Sequence, residues 1–211
     1  MPSVPLEIRP AGRLLRRLLP LAAVFGTLAI VSLPAASAQA AVIANSACNS
    51  AALTEPFLSW GDTNSYELVP GGNFEGSLSG WTLSGGAHTA PASAPVGPSS
   101  LSLPAGASVQ TPLICVNAAY PTFRFFARNG GLLSSVIVQV VYKTPTGLTV
   151  VVPVGIVALS GSWQPTSPML TGGSLESDLS GGVAQIAVRF TALTGSTQID
   201  DVYVDPRVSR G

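Results

Sequence analysis

The stretch TFRFFARNGGLLSSVIVQVVYK, residues 122–143, decides the fold class of this chain. It contains two runs rich in β-branched and aromatic residues, and the turn-forming residues Asn129-Gly130-Gly131 stand between them. Within each run apolar residues recur at every second position, the period of a strand with one buried face. We therefore predict two β-strands that are antiparallel neighbours joined by this turn.

The same alternation sorts the side chains of three strands, the third at 185–192, onto a core face and a solvent face. The residues predicted to face the core are Phe123, Phe125, Ala127, Val136, Val138, Val140, Tyr142, Ile186, Val188 and Phe190. Those predicted to face solvent are Arg124, Phe126, Arg128, Ile137, Gln139, Val141, Lys143, Gln185, Ala187 and Arg189.

The rest of the chain from residue 66 onward repeats this pattern of short apolar runs and Gly-rich turns, without long helical stripes. Further strands are predicted at 66–69, 81–83, 100–103, 108–116, 148–156 and 197–204, and residues 84–99 are predicted to form a long loop. The expected fold is all-β, a sandwich or barrel of antiparallel strands.

The first 38 residues have the pattern of a secretory signal peptide. Arg9 to Arg17 form a basic region, residues 18–33 an apolar region, and Ala36-Ser37-Ala38 a cleavage-site pattern. An uncleaved membrane anchor is the alternative. We predict an exported protein with residues 39–65 as an N-terminal extension, held by Cys48, and residues 66–211 as the main domain.

Charge argues against two classes of partner. Without the signal peptide the chain has six basic side chains against nine carboxylates, a net charge of −3. Nucleic-acid binding needs a basic surface, and binding to an anionic membrane does too, so neither is expected after cleavage. Cys48 and Cys115 are expected to form a disulfide in an oxidising compartment, although two unpaired buried thiols are the alternative.

Carboxylates in apolar surroundings mark the two ends of the main domain. In the last strand Asp200 shares a predicted face with Val202 and Val204, and Glu75 directly follows Phe74. A buried carboxylate is costly unless it is paired or bound to a cation. Two carboxylates together with turn carbonyls form the oxygen-rich surroundings that Ca²⁺ prefers, whereas local backbone hydrogen bonds are the metal-free alternative.

These end segments resemble a known group of domains. Asn73-Phe74-Glu75-Gly76, Ser79-Gly80-Trp81 and Ile199-Asp200-Asp201-Val202 are similar to motifs of jelly-roll carbohydrate-binding modules of families four, nine and twenty-two, in the galactose-binding-like β-sandwich group. The resemblance implies a jelly roll of two antiparallel sheets over about residues 66–206, with Trp81 and Trp163 as core residues and not as a sugar-stacking site. It also implies a structural calcium held by the Glu75 and Asp200 side chains and the backbone carbonyl of Asn73.

The predicted solvent faces provide a candidate ligand site. Guanidinium and amide groups beside an exposed ring are suited to sugars, and cationic groups favour acidic glycans. Solvated strand positions are the simpler explanation of the same residues. The candidate ligand-binding residues are Arg124, Phe126, Gln139, Lys143 and Arg189.

Three functional classes are compatible with the sequence. The preferred one is a non-catalytic module that binds a polysaccharide or a cell-surface glycan. The second is a structural or adhesive surface protein without sugar binding. The third is a small glycoside hydrolase using Glu75, Glu176 or Asp178, but Glu176 and Asp178 lie in Gly/Ser-rich turn sequence typical of solvated side chains. The single histidine, His88, has no nucleophile pattern around it, so we predict no catalytic residues.

Overall fold

The structure is a computed structural model of the full chain, and it describes residues 52–116, 122–131, 133–144, 146–172 and 184–205. These residues form one short 3-10 helix, Leu58–Trp60, and otherwise β-strands and connections. No helix among them is long and apolar enough to cross a membrane. The strands are β1 (Leu53–Thr54), β2 (Tyr66–Leu68), β3 (Thr82–Ser84), β4 (His88–Pro91), β5 (Ser99–Leu103), β6 (Ser108–Gln110), β7 (Ile114–Val116), β8 (Thr122–Asn129), β9 (Ser135–Lys143), β10 (Thr149–Ala158), β11 (Gln164–Pro165), β12 (Met169–Leu170), β13 (Ala184–Thr194) and β14 (Thr197–Asp205).

The strands form two antiparallel sheets. In the eight-stranded sheet, β14 is central, with β8 along one edge and both β2 and β5 along the other. In the six-stranded sheet, β13 has the same position, with β9 along one edge and both β6 and β7 along the other. The predicted all-β fold of two antiparallel sheets is confirmed.

One hydrophobic core fills the space between the sheets. Its buried residues include Phe123 and Phe125 from β8, and Val188 and Phe190 from β13. The rings of Phe125 and Phe190 meet edge to face, with centroids 4.8 Å apart, and so link the two sheets. Every residue that the alternation placed toward the core is buried or packs against this cluster, as expected for strands with one buried face.

The predicted pairing of residues 122–128 with residues 136–143 is wrong. β8 belongs to the eight-stranded sheet and β9 to the six-stranded sheet, so the segment between them crosses from one sheet to the other. Gly130 N donates to Ser196 O at 2.7 Å, and Thr194 Oγ1 donates to Leu133 O at 2.7 Å. Two strands with one apolar face each can pack on the same core either as a hairpin in one sheet or from opposite sheets. The turn residues alone therefore do not decide between these two arrangements.

Two other predictions of strand boundaries need correction. The long loop predicted at 84–99 contains β4, which pairs with β5 at the edge of the eight-stranded sheet. The strand predicted at 108–116 is interrupted at residues 111–113, where Pro112 has no N–H to donate to a ladder. There, Thr111 exchanges two hydrogen bonds with Val188 of β13.

Residues 53–62, which we call the N-terminal strap, cover the outer face of the eight-stranded sheet. β1 pairs with β2, and the fully buried ring of Phe57 then stacks on Phe126 at 5.3 Å with an interplanar angle of 25°. Phe57 also meets the ring edges of Tyr66 and Tyr203. The strap thus forms a second, smaller hydrophobic cluster outside the main core.

We predict that Phe57→Ala lowers the free energy of unfolding by about 3–5 kcal/mol, because it leaves a cavity beneath the strap. The neighbouring substitution Leu58→Ala is the control, since that side chain is 53% exposed and its loss is expected to cost no more than about 0.5 kcal/mol. Urea denaturation of both variants measures the difference. Equal effects would show that the strap does not pack as described.

Candidate functional site

The five predicted ligand-binding residues do not share one surface. Gln139, Lys143 and Arg189 lie on the six-stranded sheet, whereas Arg124 and Phe126 lie on β8 in the eight-stranded sheet. The outward faces of the two sheets point away from each other across the core. The predicted common face is therefore wrong, and two separate sites have to be considered.

The prediction that Arg124 and Phe126 face solvent is also wrong. Phe126 is 2% exposed beneath Phe57, and Arg124 is 8% exposed. The guanidinium of Arg124 lies 4.2 Å from the ring centroid of Phe57, donates from Nε to Thr166 O at 2.8 Å, and forms an ion pair with Asp62. Strand parity placed both residues correctly on the outer face, but it gave no information about the strap that covers it.

Asp62 holds this covered face together electrostatically. Its carboxylate accepts hydrogen bonds from Tyr66 Oη and from Asn64 N, in addition to its ion pair with Arg124. Burial alone would raise the pKa of Asp62, but the hydrogen bonds and the Arg124 charge outweigh it and lower that pKa below its ordinary value. Arg124 is thus a structural cation.

The other three residues lie on the six-stranded sheet, and two of them, Gln139 and Arg189, belong to a row of polar side chains. Gln139 of β9 is directly opposite Arg189 of β13, and Arg189 is directly opposite Gln110 of β6. Arg189 donates from Nε and Nη2 to Gln110 Oε1, at 3.2 and 2.9 Å. We call Gln139, Arg189 and Gln110 the polar row. Its span is about 10 Å, because neighbouring strands lie about 4.8 Å apart.

Gln110 was not among the predicted site residues, although the sequence contained the signal for it. Its neighbour Val109 is buried in the core at 1% exposure, so Gln110 faces outward by the parity of the strand. Only the register with Arg189, which joins residues 79 positions apart, shows that the two side chains meet. A single sequence does not contain that register.

The surroundings of the polar row are neutral and lack rings. On the β13 side of this face, Thr191 and Ala187 flank Arg189, and Val141 is opposite Ala187. The prediction that Val141 and Ala187 face solvent is wrong, because they are only 7% and 1% exposed. Ser108 of β6 and Ser84 of the neighbouring strand β3 hydrogen-bond to each other at 2.8 Å. In the described strands of this sheet, no aromatic side chain takes an outward position.

A group of carboxylates lies at the other sheet, where the ends of the domain meet. Asp200 is fully buried, and its Oδ1 accepts a hydrogen bond from Asp201 N at 2.8 Å. Among the described residues, its Oδ2 has no hydrogen-bond partner. Burial and the nearby charges of Asp201 and Glu75 raise the pKa of Asp200 to about 8, and burial and Glu75 raise that of Asp201 to about 6.

The predicted orientation of Asp200 toward the core is wrong. The pairing of β14 with β8 shifts between Asp200 and Tyr203, and Asp201 has a left-handed backbone with φ of +48°. This bulge reverses the alternation, so that Ile199 and Val202 both enter the core while Asp200 lies opposite Phe126 on the outer side. The strained φ of Asp201 is the local cost of that geometry.

The residues predicted to bind calcium are close to this group. Glu75 Oε1 accepts a hydrogen bond from Ser99 N at 2.8 Å, and a Cβ at Gly97 would lie only 2.2 Å from the same oxygen. Glu75 N donates a hydrogen bond to the Asn73 side-chain Oδ1 at 3.4 Å within the same turn. The side chain of Asn73 is therefore engaged locally, and its backbone carbonyl stays the predicted ligand. No three His, Cys, Asp or Glu side chains of the described residues are arranged as a complete metal set, so carbonyl oxygens would have to complete it.

The remaining candidates contribute no site. His88 is exposed, and its Nδ1 is 2.9 Å from Gly86 O. Trp81 and Trp163 are buried, as predicted. Glu176, Asp178 and Cys48 lie outside the described residues, whereas Cys115 lies half-buried in β7, so the predicted disulfide stays a prediction.

No protein-family model matches the sequence, and no curated protein matches it. Similar solved structures are carbohydrate-binding modules. A xylan-binding family 22 module of Paenibacillus barcinonensis Xyn10C has 14% identity, covers 62% of this chain and 88% of its own, and has a TM-score of 0.47. A family 11 module of a Clostridium thermocellum cellulase has 13% identity, coverage of 66% and 94%, and a TM-score of 0.40. TmCBM61, solved with β-1,4-galactotriose, has 18% identity, coverage of 65% and 96%, and a TM-score of 0.39.

Some similar structures belong to larger glycoside hydrolases, among them an arabinoxylan arabinofuranohydrolase of Bacillus subtilis. At these identities and TM-scores, the similarities carry no information about individual residues. Any role of the polar row or of the carboxylates therefore depends on the physical chemistry of this chain.

We predict that Asp62→Asn destabilises the protein by about 2 kcal/mol at pH 7, the magnitude of hydrogen bonds to a charged group. Because folding lowers the pKa of Asp62, its stabilisation is present above the unfolded-state pKa of about 3.9 and is lost as the pH falls through the folded-state value. Urea unfolding at several pH values should show the two proteins converging in acid. A difference that stays constant from neutral pH into acid would contradict this assignment.

Proposed function

We propose that this protein is an exported, non-catalytic module that binds a glycan on the outer face of its six-stranded sheet. The observation that carries the proposal is the polar row, in which Arg189 is held in place by Gln110 and flanked by Gln139. The covered face of the eight-stranded sheet is a poor alternative, because the N-terminal strap occupies it.

The chemistry of the row suits sugar hydroxyls. Amide groups both donate and accept hydrogen bonds, and a guanidinium offers five donors in one plane. Since Gln110 holds Arg189, little side-chain entropy is lost when a ligand binds. The half-buried aliphatic side chain of Ile137 shares this face and can contact the C–H surface of a sugar ring.

The positions of the acidic residues argue against hydrolysis at this face. Glycosidases place two carboxyl groups about 5–10 Å apart across the scissile bond. The described strands of the six-stranded sheet contain no Asp or Glu, and the Asp200 group lies on the other sheet. A binding role therefore fits the face better than a catalytic one.

We predict that Arg189→Ala weakens glycan binding by at least about tenfold and that Gln139→Ala weakens it by a smaller factor, because hydrogen bonds from a charged group are the stronger ones. A glycan array identifies ligands of the mature protein, and isothermal titration then compares the variants. Gln164→Ala is the matched control, since Gln164 is exposed on β11 of the other sheet. Melting curves confirm that each variant is folded.

Two outcomes would contradict the proposal. Binding that is unchanged in Arg189→Ala but lost in Gln164→Ala would place the ligand on the other sheet. Absence of binding to every arrayed glycan would favour a structural or adhesive role instead.

We also propose a structural Ca²⁺ at the carboxylate group, bound by Glu75, Asp200 and the carbonyl of Asn73. Oδ2 of fully buried Asp200 supports it, because a cation would compensate this carboxylate oxygen, for which the described residues provide no hydrogen-bond partner. Asp201, whose pKa burial and Glu75 raise, adds negative charge to the same place. Bound there, Ca²⁺ would hold the loop after β2 against β14.

We predict that millimolar Ca²⁺ raises the melting midpoint of chelator-treated protein by about 5–10 °C, as expected when the ion is about a hundredfold above its Kd. Glu75→Gln should lose most of this shift. Glu67→Gln is the matched control, because Glu67 lies in β2 outside the group and its variant should keep the shift. A midpoint that ignores Ca²⁺ in all three proteins would rule out the metal.

Export and the Cys48–Cys115 disulfide belong to the same proposal. The signal-peptide pattern of residues 1–38 and the pair of cysteines in the sequence support them. The partner would then be a polysaccharide or a cell-surface glycan outside the cell.

A further inference from the structure

Charge is divided between the two sheets. The carboxylates of the described residues all lie in the strap, in β2 and the segment after it, or in β14, which belong to the side of the eight-stranded sheet. The strands of the six-stranded sheet contain two charged residues, Arg189 and Lys143, and both are basic. This sheet is therefore cationic within a chain whose predicted mature form has a net charge of −3.

Arg189 differs from the other arginines of the sandwich in its partners. Arg124 has Asp62 as a counter-ion, and Arg128 lies over the ring of Trp163 at 4.9 Å while donating to Gln198. In the described part of the chain, the hydrogen-bond partner of Arg189 is the neutral Oε1 of Gln110, which uses two of its five N–H groups. A half-buried cation without a counter-ion favours binding of an anion.

The distance between the two basic residues indicates the size of the ligand. Lys143 lies four residues beyond Gln139 on β9 and on the same face, which is about 13 Å along the strand. Val141 lies between them, with Ala187 opposite, and both are buried. A chain with repeated carboxylates spans this backbone distance and can contact both charges.

We infer that the outer face of the six-stranded sheet binds an acidic polysaccharide, one whose sugar units are uronates, with Arg189 as the carboxylate-binding residue and Lys143 as a second contact. This inference rests on the proposed glycan-binding function and specifies its ligand class. The uronate carboxylate accepts hydrogen bonds from the N–H groups of Arg189 that Gln110 leaves free. Gln139 binds hydroxyls of the same sugar unit.

The test compares trigalacturonate with its methyl ester, which has the same sugars without the charge, by isothermal titration at low salt. Trigalacturonate should bind at least about tenfold more tightly, and the preference should shrink as added salt screens the charges. Arg189→Gln should remove most of the preference, Lys143→Gln part of it, and Arg189→Lys should retain much of it. Arg128→Gln, on the other sheet, is the control and should leave it unchanged.

The outcomes separate this inference from the proposed function. Equal affinity for both trisaccharides, or a preference that survives in Arg189→Gln, overturns the inference and leaves glycan binding intact. No binding to either trisaccharide or to any arrayed glycan overturns both. A single-stranded oligonucleotide of the same charge, bound as tightly as trigalacturonate, would also overturn it, because the face would then respond to charge and not to sugar.

Discussion

The stacking of Phe57 on Phe126, beneath the guanidinium of Arg124, decides which surface of this sandwich is open. A β-sandwich has two outer faces, and either can provide a flat surface for a ligand. Here the ion pair between Asp62 and Arg124 fixes the strap over one of them, and Phe57 excludes water from it. The eight-stranded sheet thus lies between two apolar layers, and the polar row lies on the outer face of the other sheet.

The strap also explains which side-chain orientations could be predicted from the sequence and which could not. Alternation placed Phe123, Val138 and Phe190 in the core, because a single buried face produces a period of two that any one strand reveals. It failed for Arg124, since a side chain on an outer face is solvated only if nothing packs over it. A strap of ten residues with one aromatic anchor leaves no periodic signal of its own.

Failures at Asp200 and in the pairing of β8 have a related cause. A single bulge at Asp201 reverses the parity of every residue before it, and bulges are not encoded by an apolar pattern. Likewise, the choice between a hairpin and a crossing to the other sheet depends on hydrogen bonds from Ser134 to Ser196 and from Thr194 to Leu133, which only the assembled fold contains. Local sequence patterns therefore predicted the strands, whereas the pairing of strands distant in sequence determined which side chains meet at the candidate site.

The two proposed sites have opposite charges and lie on different sheets. Acidic groups at the meeting point of the domain ends favour a cation, and the basic residues of the opposite sheet favour an anionic sugar. The most direct test is an NMR titration of the isotope-labelled mature protein with trigalacturonate, following backbone amides and the indole of Trp163. We predict that the largest shifts fall at Gln110, Gln139 and Arg189, with the strap and Trp163 unchanged. Shifts concentrated at Phe57, Tyr66 and Trp163, with the polar row unmoved, would contradict the account.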